Sequence, residues 1–348
     1  MPRNPIRIPV RSLILLSLCT LVILAAGATP ASSGNGVTSD PTIAAMMAQV
    51  QTATLITYVN QLSGEVPATV GGMPYTFITR DTESGVPIQR ATQFAYEFLQ
   101  AHGLAASYEN WTGCGISSRN VIGEKVGTQR PAEIVLATAH LDSINESGGP
   151  LAPGADDNAS ASAAVMAMAE IMASRQFQRT VRFVLFTGEE QGLCGSWAYA
   201  RAAATEHENI VAVYNMDMLA WDSNAQPIVR LHTRTTRNAG YAADLAIANT
   251  FANIVSQYGL SGALSPLVTP DGEDASDHSS FWDNGYAAIL AIEDDYDDFN
   301  PYYHSANDKV SAYNQSYYTN FVKASVGTVA QLAGTTLTFR VYLPMAIR

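Results

Sequence analysis

The sequence predicts an α/β protein of three layers, with helices on both faces of a mixed but mostly parallel central sheet. Two observations carry this. Apolar, β-branched runs alternate along the chain with segments whose apolar residues recur at helical spacing, and strands separated by helices imply a parallel sheet covered on both sides. The 348 residues are 47% hydrophobic, a globular composition, with no internal repeat and no interior low-complexity linker to divide them. One catalytic domain over residues 41–335 is therefore expected.

The elements follow in order. In residues 1–28, Arg3, Arg7 and Arg11 precede an uncharged run that ends in Ala26-Gly27-Ala28. That reads as a secretory signal peptide and makes the protein secreted; a retained membrane anchor is the other reading. Residues 29–40 are small and polar, a flexible leader. Helical spacing predicts helices over 43–62 and 88–102, the second stopped by Gly103. Strands are predicted at Ser118–Val126, Glu133–Ala139, Val181–Phe186, Ile210–Tyr214 and Ala287–Ile292. Between and after them, helices are predicted at Ser160–Ala173, Cys194–Ala204, Ala239–Tyr258 and Ser316–Leu332. The tail, 336–348, reads as an extended segment, an edge strand in preference to a docking segment.

Charge and cysteine usage narrow the function. Residues 29–348 hold 16 basic and 31 acidic residues, a net charge of −15, which argues against nucleic acid or an anionic membrane as partner. No stable membrane association is expected once the signal is removed, and the protein is expected to be monomeric. Cys19 lies in the signal core after Leu18, which disfavours a lipoprotein attachment site. Cys114 and Cys194 remain, as a disulfide in an oxidising compartment or as two free thiols.

In open α/β sheets ligands bind beyond the carboxyl ends of the strands. Three predicted strands end there in metal-ligating residue types: His140-Leu141-Asp142, Glu189-Glu190 and Asn215-Met216-Asp217. Asp156-Asp157 precede a helix, where acids usually serve as caps. Downstream lie SDHSSF (276–281) and NPYYHSANDK (300–309), with His278 and His304. Anions gathered at one sheet edge repel one another and lose hydration; divalent cations remove that penalty. Oxygen and nitrogen ligands without thiolates suit catalytic zinc.

The motifs AHLDS (139–143), PGADDNAS (153–160), TGEEQGLCGSW (187–197), NMDM (215–218), SDHSSFW (276–282) and NPYYHSANDK, in this order, resemble the M28 family of zinc metallopeptidases, which contains secreted bacterial aminopeptidases. The resemblance runs from about residue 43 to residue 332. It implies a phosphorylase/hydrolase-like zinc exopeptidase fold and two Zn²⁺, with His140 and Asp217 on one ion, Glu190 and His304 on the other, and Asp156 bridging. It further implies Glu189 as general base, a cis Asp156–Asp157 bond, and an oxyanion-stabilising role for Tyr303. Asp142, two residues after His140, shares its strand face and can fix the imidazole tautomer. Asp277 could orient His304, and His278 reads as a satisfied structural histidine. The expected activity is hydrolysis of the N-terminal peptide bond of peptides with a free N-terminus. The alternatives are a single-zinc glutaminyl cyclase-like acyltransferase and a non-catalytic M28-like binding domain. The acidic run EDDYDD (293–298) reads as a solvated loop, or as a site for the substrate amine or for Ca²⁺.

Overall fold

The computed structural model describes residues 39–336, so the expectations for residues 1–28, for most of the leader and for the tail from residue 337 lie outside the described residues. The strands are β1 (Ala68–Val70), β2 (Met73–Tyr75), β3 (Ala105–Gly113), β4 (Ile116–Lys125), β5 (Arg130–His140), β6 (Arg179–Phe186), β7 (Asn209–Asp217), β8 (Ile228–His232), β9 (Ser265–Thr269) and β10 (Ala288–Ile292). The helices are α1 (Pro41–Met47), α2 (Thr52–Leu62), α3 (Val86–Ala101), α4 (Ala161–Ala173), α5 (Cys194–Thr205), α6 (Tyr241–Gln257), α7 (His278–Asp283) and α8 (Gln315–Ala333).

Eight strands form one sheet in the order β3-β4-β6-β5-β7-β10-β8-β9, with β6, β5, β7 and β10 mutually parallel at its centre. The parallel pair β8 and β9 joins antiparallel to β10, and the β3–β4 hairpin joins antiparallel to β6. Strand alternation explains the layers. Val135, Ala137 and Ala139 of β5, with Val181, Phe183 and Leu185 of β6, face the large core made with α1, α2, α3, α4, α6 and α8. The intervening Ile134, Leu136, Val184 and Phe186 face a second cluster with Tyr199, Ala200 and Ala203 of α5 and Phe281 of α7. Both faces of the sheet are thereby covered, as the sequence predicts.

Two differences are instructive. The helix expected over 43–62 is two helices, α1 and α2. Val50, in the link, is still buried, so the apolar period reads straight through a break that carries no Gly or Pro. Strands β1, β2, β3, β8 and β9 and helix α7 are additions. In β8 the buried side chains include Arg230 and His232, which hide the apolar signature of an interior strand. Among the described residues no helix is long and apolar enough to cross a membrane.

Candidate metal centre

The strand order brings the site together. β5 lies between β6 and β7, so the ends of three parallel strands are neighbours at the carboxyl edge. His140 is the last residue of β5 and Asp217 the last of β7, inside the strand rather than after it. Glu189 and Glu190 sit in the tight turn from β6 to α5. The Glu189 carbonyl accepts the N–H groups of Gly192 and Leu193 at 2.8 Å, closing that turn. The loop after β10 supplies His304, held at φ 50°, a left-handed conformation uncommon outside glycine and typical of constrained functional positions.

Each of two imidazoles aims Nε2 at two carboxylates. His140 Nε2 is 3.2 Å from Asp157 Oδ1 and 3.3 Å from Asp217 Oδ1. His304 Nε2 is 3.0 Å from Asp157 Oδ2 and 2.9 Å from Glu190 Oε2. A single N–H cannot serve two acceptors well. Tetrahedral ligands bonded at about 2.0–2.1 Å lie about 3.3 Å apart, close to these separations. Glu190 Oε1 is buried without a hydrogen-bond partner, as an oxygen intended for a cation would be. The donors close enough together to share one ion are His140, Asp157 and Glu190, and His140, Glu189 and Asp217, so the cluster suits a divalent metal.

The carboxylate that lies between the two imidazoles is Asp157, not Asp156 as the sequence suggests. Asp156 points away: its Oδ1 accepts the Ala220 N–H at 3.0 Å and its Oδ2 the Asn300 amide at 2.9 Å. The cis peptide bond is Asp157–Asn158, not Asp156–Asp157. The turn also needs a glycine. At Gly154, φ 47°, an added Cβ would stand 2.3 Å from the Asp157 carbonyl and 2.4 Å from Ser143 Cβ. Backbone shape decides which of two adjacent aspartates faces the site, and the pair alone carries no sign of it.

The electrostatics describe a pocket that attracts positive charge. Burial pushes Glu190 up to about 8, with Asp157 adding to the rise. Glu189 is likewise held well above the usual carboxylate range by burial, against the pull of His140. Burial opposes charge on His304, but Asp157 and Glu190 outweigh it and raise the imidazole to about 11. Burial also opposes charge on His140, and Asp217 and Glu189 again win.

Supporting contacts refine the expectations. His140 Nδ1 lies 3.2 Å from the Asp142 carbonyl and 3.7 Å from its Oδ1, so the backbone of Asp142 makes the nearer contact. Its Oδ2 accepts the N–H of Gly188 at 3.0 Å and of Glu190 at 3.4 Å and the Thr82 hydroxyl at 3.0 Å, tying the glutamate turn to β5. A one-way series ends on Asp217: Thr138 donates to Asn215 at 2.7 Å, Asn215 to Ser276 at 3.0 Å, and Ser276 to Asp217 Oδ2 at 2.8 Å. The Tyr303 ring stacks on His304 at 3.5 Å between centroids. Asp277 is fully buried and hydrogen-bonds no part of His304, whose Nδ1 instead faces Glu146 Oε1 at 3.1 Å. His278 is buried, with Nε2 2.7 Å from the Glu273 carbonyl.

The acidic run is solvated only in part: Glu293 and Asp294 are buried, whereas Tyr296 and Asp297 are exposed, and the run supplies counter-charge to buried cations. Asp294 pairs with Arg230 at 2.7 Å, Asp295 with His232 at 3.2 Å, and Asp297 with Arg230 at 3.0 Å. Asp298 accepts the Trp221 indole N–H at 3.0 Å and the Ser223 N–H at 2.7 Å. Buried Glu293 accepts the N–H groups of Ala220 and Trp221 at 3.1 and 2.7 Å. A cavity of about 290 Å³ opens between this run and the cluster, with an apolar wall that includes Met218, Leu290, Ile292, Phe299 and Tyr303.

An α/β sheet with a carboxylate–imidazole cluster at its carboxyl edge, suited to a divalent metal, defines the class. The model of Peptidase family M28 matches residues 120–329, and the chain belongs to that family. It is 32% identical over 208 residues to a protein named a probable leucine aminopeptidase from Arthroderma benhamiae, covering 57% of this chain; it spans about half, 53%, of that relative's length. By structure it is similar to the Legionella pneumophila LapA aminopeptidase, with a TM-score of 0.67 at 20% identity over 85% of this chain and 75% of that one. It also resembles a Bacteroides thetaiotaomicron glutaminyl cyclase crystallised with N-acetylhistamine, with a TM-score of 0.62 at 15% identity over 81% and 98% of the two chains. These two structural likenesses concern the fold.

Proposed function

We propose that the protein is a secreted dizinc aminopeptidase that removes the first residue of peptides with a free N-terminus. The observation that carries this is the double-sided placement of Asp157, each of whose oxygens faces a different imidazole. Bound zinc supplies Lewis acidity toward the scissile carbonyl and the attacking water. Glu189, whose burial lifts its affinity for a proton, accepts one from that water and returns it to the amine nitrogen of the leaving group. The Tyr303 hydroxyl donates to the oxyanion that develops on the carbonyl. Asp142 orients His140 and the glutamate turn. The cavity wall of Met218, Leu290, Ile292 and Phe299 takes an apolar N-terminal side chain, in keeping with the leucine aminopeptidase name of the relative.

The test is a panel of aminoacyl-anilides beside N-terminally blocked peptides and glutaminyl peptides, with and without chelator, on wild type and Glu189→Gln. Chelator-sensitive release from unblocked apolar substrates alone is the expected result. Glu189→Gln should retain two equivalents of zinc while kcat falls about 10²–10⁴-fold. Cyclisation of glutaminyl peptides with one equivalent of zinc would favour the acyltransferase reading, and kcat near wild type in Glu189→Gln would remove Glu189 as base. Secretion is checked by finding the chain, starting near residue 29, in the culture medium.

A further inference from the structure

Arg80 is fully buried and, among the described residues, belongs to no ion pair. Its donors go to main-chain carbonyls: Nε to Leu141 at 2.6 Å, Nη1 to Leu62 at 2.8 Å and Pro153 at 2.7 Å, and Nη2 to Gly154 at 2.9 Å. Burying a guanidinium costs several kcal/mol, which here is offset only through the hydrogen bonds it makes to four carbonyls. A cation in this place therefore serves an arrangement rather than a volume. Burial lowers its pKa only to about 10, with Asp308 opposing the fall, so it stays charged at neutral pH.

The carbonyls it holds mark the arrangement. Leu141 follows His140, and Pro153 and Gly154 enter the turn that carries Asp157. Asp308 grips the opposite edge of the same turn. Its Oδ1 accepts the Asp156 N–H at 2.9 Å, its Oδ2 accepts the Asp157 N–H at 3.0 Å, and its carbonyl accepts the Ala155 N–H at 3.2 Å. Asp308 is four residues after His304, on the same loop. The Asp157 turn is thus fastened through its carbonyls to the strand of His140 and through its N–H groups to the loop of His304.

We infer that Arg80 and Asp308 are positioning residues for the metal centre, together fixing Asp157 at the spacing from His140 and His304 that two divalent ions require. This rests on reading Asp157 as the shared ligand. Metal–ligand distances tolerate only about ±0.2 Å, so slack in this turn reaches zinc affinity directly.

The experiment strips the full-length protein with chelator and titrates zinc against a chromogenic competitor. It compares wild type, Asp157→Ala, Asp308→Asn, Arg80→Lys and Arg80→Met, with circular dichroism and thermal unfolding of each zinc-free protein alongside. Asp308→Asn and the folded Arg80 variant should bind zinc roughly 10–100-fold more weakly than wild type, the loss seen when groups supporting a ligand are removed. A purely structural role would lower the zinc-free melting point and leave the affinity of the folded protein unchanged; that result overturns the inference while the ligand reading stands. If neither Arg80 variant folds, Asp308→Asn decides alone. Two equivalents of zinc in Asp157→Ala, bound as in wild type, would overturn the ligand reading and the inference with it.

Discussion

The Cys114–Cys194 disulfide offers the most quantitative perturbation. It joins the turn of the β3–β4 hairpin to the first residue of α5, with the Cα atoms 6.1 Å apart, and spans 80 residues of sequence. That loop contains His140, Asp157, Glu189 and Glu190. In the chain-entropy description, closing a loop of this size removes about 15 cal/mol/K from the unfolded ensemble, about 4.5 kcal/mol at 25 °C. Measured effects generally fall short of this, so the expected loss in Cys114→Ala/Cys194→Ala is about 2–4 kcal/mol. At about 2–4 °C per kcal/mol for domains of this size, the thermal midpoint falls by roughly 5–15 °C. The assay is equilibrium urea unfolding of wild type and double variant, each with and without reductant. Wild type in reductant should match the variant, and the variant should ignore reductant. Identical midpoints for all four samples would refute the reasoning, because the bond would then either not form or not restrict the unfolded chain.

Four further outcomes are expected. Asp157→Ala loses zinc and activity, whereas Asp156→Ala keeps two equivalents of zinc and loses about 1–3 kcal/mol of stability by orphaning the Asn300 amide; metal titration and urea unfolding separate the two. Burial lowers the His278 pKa from 6.5 to about 3, so the unfolded chain binds its proton first and stability drains away as pH falls from about 6.5 toward 3. The slope from this group is up to about 1.4 kcal/mol per pH unit, and His278→Gln should flatten it in chemical denaturation at stepped pH. Calcium at roughly millimolar concentration, where extracellular sites bind, should leave the melting point unchanged, because the acidic run already serves Arg230, His232 and backbone N–H groups. Arg230→Ala, by contrast, should cost about 3–5 kcal/mol in urea unfolding by leaving buried Asp294 uncompensated.

What could be read in advance followed from local pattern. The parallel core of β5, β6 and β7 announces itself through apolar runs, and each run ends on or just before residue types that meet in space, so His140, Glu189, Glu190 and Asp217 were legible as a group, whereas His304 joined them only through the family resemblance of NPYYHSANDK. Three kinds of feature were not. The choice of Asp157 over Asp156 depends on the backbone path set by Gly154 and by Arg80, whose partners are carbonyls scattered between residues 62 and 154. Strand β8 escaped because Arg230 and His232 are buried only by virtue of acids more than 38 residues away, Asp271, Asp294 and Asp295. The roles of Thr82 and Asp308 are contacts between distant loops, and neither residue type is informative by itself. Periodicity reports burial of a face; it does not report which remote group a polar side chain will meet.

The series from Thr138 to Asp217 has a consequence for how far inward the site extends. Thr138 lies within β5, two residues before His140 and wholly out of solvent. Its hydroxyl decides which way round the Asn215 amide sits, and that amide obliges Ser276 to spend its only proton on the carboxylate. Valine at 138 would match the shape and still release the amide to turn over, after which Ser276 could answer to either neighbour. The heading of Asp217 is thus dictated from the sheet interior, and a change that looks like harmless repacking there would be felt as a misaimed ligand at the rim.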